Sequence, residues 1–195
     1  EALLPQLSAF AALRVFAYAC FLAAIGLLGA GLACQCRVKF SWGTAITVFG
    51  AALLVNIAIL DMPRHSPLRL YLYHGPYFLM GGLGALTILR ARHKGLLEYL
   101  MFAAVCLLNL HFLTRPTAVK LLGGMGDSPQ TYLSTPYAAY DQTVLAIVAL
   151  ALAALLSLAL VRDLIQSLTK VSLTDPLSGL MNRRGFQASA EKILK

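Results

Sequence analysis

The sequence predicts an all-α polytopic membrane bundle of about five transmembrane helices that runs on into a helical coiled-coil stalk. Three observations carry this. Of 195 residues, 59% are hydrophobic and 12% charged, with a mean hydropathy of +0.74, whereas a soluble domain is about a quarter charged. Five apolar segments each reach the roughly 18 residues that cross a hydrocarbon layer. An apolar 3-4-3 spacing then continues past the last of them. The same composition excludes intrinsic disorder, which needs low hydrophobicity and high charge. Four Cys in this length do not make a disulfide framework. Sixteen Lys and Arg against eight Asp and Glu leave +8. In a membrane protein such an excess belongs to loops held at an anionic leaflet, so the lipid bilayer is the expected partner and nucleic acid is not.

The first segment, Val15–Cys34, is too long for a signal-peptide core and lacks a basic lead and a polar cleavage region. Ahead of it, Pro5–Leu13 reads as a short interfacial helix or the stub of a further span. The chain opens at Glu1, not Met, so an earlier segment is expected. Gly26, Gly29 and Gly31 give this span a small-residue packing face. Cys34 and Cys36 read as reduced thiols, and Cys20 and Cys106 as small packing residues. The second span is Trp42–Leu60 and the third Leu68–Leu89. In the third, Tyr71-Leu72-Tyr73-His74-Gly75-Pro76-Tyr77 sets Gly and Pro directly after a His. Pro76 cannot donate to the Leu72 carbonyl, so a break is expected there, with the freed carbonyl satisfied by protein or cavity water. Gly81, Gly82 and Gly84 below it admit a close neighbour. The fourth span is Leu96–Leu113; residues 114–142 read as a long polar loop, and Thr143–Val161 is the fifth span.

Val161, Leu164, Leu168 and Val171 form an a/d seam running out of the last span. It is too short to hold a dimer alone, and an ordinary amphipathic linker helix would show the same spacing. Asp175-Pro176 then stops the helix, Gly179 permits a bend, and Asn182 suits the N-cap of a new helix carrying Phe186. Across this stretch Asp175, Leu177, Gly179, Leu180, Asn182, Arg183, Arg184 and Phe186 fit the pattern Asp-x-Leu-Thr-Gly-Leu-x-Asn-Arg-Arg-x-Phe, with Ser178 in place of Thr. The stretch resembles the opening of the GGDEF domain of diguanylate cyclases, an α/β domain that condenses two GTP into cyclic di-GMP as a face-to-face pair. Spans, stalk and then this motif is also the layout of that family's membrane receptors. The resemblance implies a transmembrane sensor domain over 1–161, a signalling stalk over 162–173 and the first fragment of a GGDEF domain over 174–195. It further implies a homodimer, with GTP and Mg bound by catalytic residues that lie beyond Lys195 in the family's order. The segment therefore carries no catalytic residue of its own. The following domain could instead be degenerate, or be followed by a phosphodiesterase domain.

A domain that uses GTP lies in the cytoplasm, so the resemblance also implies a bacterial inner (plasma) membrane protein with a cytoplasmic C-terminus. Inner-side basic residues are then Arg37, Lys39, Arg90, Arg92, Lys94, Arg162 and Lys170, against Arg14, Arg64, Arg69, Arg115 and Lys120 outside. Counting turns puts Asn56, His74, Asn109 and His111 roughly 3–9 Å inside the outer boundary. Asp61, Arg64, His65, Arg69, Arg115 and Asp141 surround that layer. Polar groups inside spans are costly and mark function. A pocket for an unidentified small molecule is expected from Asn56, Tyr71, Tyr73, His74, Tyr77, Asn109, His111 and Arg115. The tyrosines could equally form an aromatic belt, and the histidines could be packed in the core. A sharper alternative has His74 and His111 holding a metal or the iron of a haem, in a membrane redox or sensor protein. His65 and His93 fall in loops. A transporter would show an internal repeat and midplane polar groups, and neither is visible.

Overall fold

The computed structural model describes residues 4–63, 66–92, 95–126, 129–173, 178, 180–183, 186–187 and 190. Their regular structure is six α-helices joined by turns and short connections, with no strand among the described residues. The helices are α1 (Leu4–Gln35), α2 (Trp42–Ala58), α3 (Pro67–Leu89), α4 (Leu96–Leu121), α5 (Pro129–Leu133) and α6 (Pro136–Ser172). Three are long and apolar enough to cross a membrane: Ala11–Gln35 of α1, all of α4, and Pro136–Thr169 of α6. At 17 residues α2 is apolar but shorter. The 23-residue α3 is diluted by its Tyr-His-Gly-Pro-Tyr stretch.

The helix ends follow local chemistry. α1 closes with the Val38 N–H donating to the Ala33 carbonyl and Arg37 to Cys34, a Schellman arrangement with Arg37 at φ 54°. α4 starts with Glu98 Oε2 accepting from the Gly95 N–H at 2.8 Å. It ends in a second Schellman turn, the Gly124 N–H donating to Val119, with Gly123 at φ 84°. α6 starts at Thr135, whose hydroxyl accepts from the Ala138 N–H at 3.1 Å, with Pro136 in the first helical position.

Several sequence expectations are corrected here. Pro5–Leu13 is the beginning of α1, not a separate interfacial helix. α3 is continuous through Pro76: proline already holds a helical φ, and one lost hydrogen bond does not break a packed helix. The fourth helix does not stop at Leu113 but continues through Arg115 and Pro116 to Leu121. The fifth begins at Pro136. The expected loop of 114–142 is thus reduced to 122–135, with α5 inside it.

The chain divides into two units, residues 1–155 and 156–195. In the first, α3 is central and packs on α1, α2 and α4. Gly29 of α1 and Gly84 of α3 meet backbone to backbone, a Cβ on either lying 3.6 Å from the other's Cα. Gly81 sits against the Asn109 amide of α4, where a Cβ would come within 2.5 Å of Oδ1. Tyr77 is buried among Tyr18, Phe21 and Phe112, with ring centroids 4.9, 5.1 and 5.4 Å away. Large apolar side chains such as Phe16, Leu54, Leu107 and Leu150 cover the outward faces, as a lipid-facing surface requires.

The second unit contains the C-terminal part of α6 and the described part of the tail. Val161, Leu164, Ile165 and Leu168 are exposed, and Val171 lies in the last turn of α6. Asn182 folds back on the helix end: its N–H donates to the Leu173 carbonyl and its Nδ2 to the Ser172 carbonyl, each at 3.0 Å. A helical turn follows, the Phe186 N–H donating to the Asn182 carbonyl. Leu180, Arg183 and Phe186 are exposed. Asp175, Leu177, Gly179 and Arg184 lie outside the described residues, as do His65 and His93.

Candidate functional site

A cavity of about 400 Å³ opens at one end of the first unit. It lies beside the first half of α1, where α3 begins, α2 and α4 finish, and α6 starts. α1 contributes Arg14 and Ala17; α2 and the turn after it contribute Asn56, Ile59 and Leu60. The first two turns of α3 supply Arg69, Leu70, Tyr73 and His74. Arg115 comes from α4, and Met125, Tyr132 and Tyr137 close the wall. A packed cluster of Leu70, Val119 and Tyr137, joined by Met125 and Tyr132, supports that wall. Asn56 and His74 are each 4% exposed and Arg69 8%, so these three are held in place, whereas Arg14 is exposed. The Arg69 guanidinium donates to the Met62 carbonyl. His74 Nδ1 is buried with no hydrogen-bond partner among the described residues.

Behind the cavity stands Asp141 of α6. Its Oδ1 accepts from His111 Nε2 at 3.0 Å and from Arg115 Nε at 2.5 Å. Its Oδ2 accepts from the other arm of the same guanidinium, a bidentate pair, and lies 3.4 Å from the Tyr132 hydroxyl. The pair is shielded, with side-chain exposures of 12% for Arg115 and 4% for Asp141. Burial, and then the neighbouring Asp141 charge, push the Tyr132 phenol above its ordinary value. One carboxylate thus ties α6 to α4 and to the segment between them.

Of the residues singled out by sequence, Asn56, Tyr73, His74 and Arg115 converge on the cavity. Tyr71 is exposed on the outside of α3. Tyr77 is in the aromatic core. Asn109 donates to the Val105 carbonyl at 3.1 Å and faces Gly81. His111 meets Asp141, on the side where α4 and α6 form a second, apolar groove. His74 and His111 each keep a buried Nδ1 without a partner, but no group of three or more His, Cys, Asp or Glu suited to a metal occurs among the described residues. Arg14, Tyr132 and Tyr137 belong to the cavity wall without having been singled out as site residues. Arg14, an arginine near the start of the first span, was the one available signal.

No protein-family model, curated protein or solved structure matches the chain.

Proposed function

We propose that the chain is the membrane sensor and signal-transmission region of a diguanylate cyclase that makes cyclic di-GMP from two GTP. In this reading α1, α2, α3, α4 and α6 all cross a bacterial inner membrane. The cavity faces outward and takes a small-molecule ligand, and the C-terminus is cytoplasmic. The stalk Val161–Val171 pairs with a second copy and hands the signal to the GGDEF domain opened by Asp175–Phe186.

One observation carries the reading. α6 begins in the cavity wall with Tyr137 and holds Arg115 and His111 through Asp141. It then continues as one helix to Ser172, three residues before the Asp175 motif. A ligand that alters the grip on Asp141 acts on the same helix that carries the stalk. Such a switch needs only a few kcal/mol of differential affinity between two states.

The test is synthesis by the whole protein, extended past Lys195, in membrane vesicles supplied with GTP and Mg²⁺. Cyclic di-GMP is the expected product. Turnover to other products, or none, overturns the reading.

A further inference from the structure

Two arginines of the cavity wall are engaged inside the protein. Arg115 holds Asp141 with both arms of its guanidinium, and Arg69 donates to the Met62 carbonyl. Asn56 and His74 differ from them. Both line the cavity at 4% exposure, and neither makes a side-chain hydrogen bond among the described residues. His74 Nδ1 is enclosed without a partner, whereas His74 Nε2 and both amide atoms of Asn56 are not enclosed. These three atoms are therefore the ones that reach the cavity. A proton on Nδ1 would be a shut-in donor with no acceptor, so the imidazole keeps its proton on Nε2 and offers it to the cavity. Asn56 offers donors at Nδ2 and an acceptor at Oδ1. Ile59, Leu60, Leu70 and Met125 give the same space an apolar side. Polar side chains left unanswered at membrane depth are costly unless they serve a function. A volume of about 400 Å³ is within the usual range for small-molecule sites.

We infer that this cavity binds an uncharged molecule carrying a primary amide or lactam on an apolar body, with Asn56 and His74 as its polar contacts. In such a group N–H and C=O point to the same side, as they do in the carboxamide of Asn56. Two of them answer each other with one donated and one accepted hydrogen bond. The second lone pair of the ligand carbonyl takes the Nε2–H of His74, and the hydrocarbon part lies against the apolar side. A carboxylate has acceptors only and would leave Asn56 Oδ1 unanswered. Arg115 and Tyr137, in the first turn of α6, border the same space, so the occupant sits beside the helix that runs on to the stalk. The inference names the ligand class of the sensor reading and rests on that reading for its purpose, but not for its chemistry.

Binding is measured on the full protein in phosphatidylcholine nanodiscs, as the excess over discs without protein. The probes are benzamide, N,N-dimethylbenzamide, which lacks the donor, and benzoate, which lacks the donor and is charged. Benzamide is expected to raise the thermal midpoint and to bind at least about tenfold more tightly than the other two. Asn56→Leu is expected to abolish the preference for benzamide over its dimethyl form. His74→Phe is expected to weaken benzamide binding by about tenfold, and His74→Gln, which keeps a side-chain N–H donor, to restore most of it. A histidine that only fills space would instead be replaced better by Phe than by Gln. Where a variant loses the wild-type thermal midpoint, the three probes on the unaltered protein decide alone. Equal binding of benzamide and its dimethyl form, tighter binding of benzoate, no saturable binding, or an unchanged preference in a folded Asn56→Leu protein overturns the inference. Synthesis of cyclic di-GMP is scored separately, so a working cyclase that ignores amides, or an amide site on a protein without cyclase activity, tells the two failures apart.

Discussion

Asp141 is the residue on which the cavity end of the bundle turns. It is 3% exposed and receives His111, both arms of Arg115 and, at longer range, Tyr132. Removing one partner of a buried ion pair strands the other charge, at a cost of about 3–5 kcal/mol, while replacing both with apolar residues can be close to neutral. Asp141→Ala is therefore expected to lower the thermal midpoint in detergent sharply. Arg115→Met combined with Asp141→Leu should lower it much less than the two single changes summed. Additive losses would mean that the pair carries no coupling. At this scale the sequence was legible in depth but not in direction. Counting turns along alternating spans put Asn56, His74, Asn109 and His111 in one layer, because rise per residue is fixed, and of these Asn56 and His74 line the cavity. It could not tell that Tyr71 faces out and Tyr77 faces in, since helix rotation depends on which neighbours pack where. Nor could it join His111 to a carboxylate 30 residues away.

Among the elements, α6 shows both what pattern reveals and what it hides. Its apolar body was plain from composition, but its first turns were read as loop because they are polar. The start signal was present in Thr135-Pro136, an N-cap followed by proline, with the Thr135 hydroxyl accepting from the Ala138 N–H. α4 was cut short for a related reason. Arg115-Pro116 resembles a membrane boundary, yet the charge is paired inside the protein and the helix stops only at Gly123. Towards its C-terminal end α6 displays Val161, Leu164 and Leu168 at exposures of 51%, 57% and 61%. A single apolar side chain on a surface needs no explanation, but a 3-4 spaced row suits a partner helix. Leu164→Asp with Leu168→Asp is expected to reduce crosslinked dimer in native membranes and to uncouple cyclic di-GMP synthesis from the sensor. The thermal midpoint of the bundle should stay unchanged. An unaltered dimer fraction together with unaltered synthesis removes the stalk from the mechanism.

For the molecule as a whole, the observed helix ends sharpen the charge asymmetry that sets orientation. Arg14, Arg69, Arg115 and Lys120, formerly counted with the loops at the cavity end, all lie within helices. The connections 59–66 and 122–135 at that end then contain one basic residue, Arg64, with Asp61 and Asp127. The opposite connections, 36–41 and 90–95, contain Arg37, Lys39, Arg90, Arg92 and Lys94. Short loops rich in Lys and Arg stay on the cytoplasmic side, so the cavity end is expected to face outward. The check uses single cysteines at exposed positions in a background lacking Cys20, Cys34, Cys36 and Cys106. Ser134→Cys, in the turn before α6, should react with a membrane-impermeant maleimide on intact spheroplasts. Lys39→Cys and Arg92→Cys should react only after permeabilisation. The reverse pattern would put the cavity in the cytoplasm and remove the outer-side ligand. Labelling of Ser134→Cys and Arg92→Cys from the same side would mean that α4 does not cross, which ends the five-span arrangement.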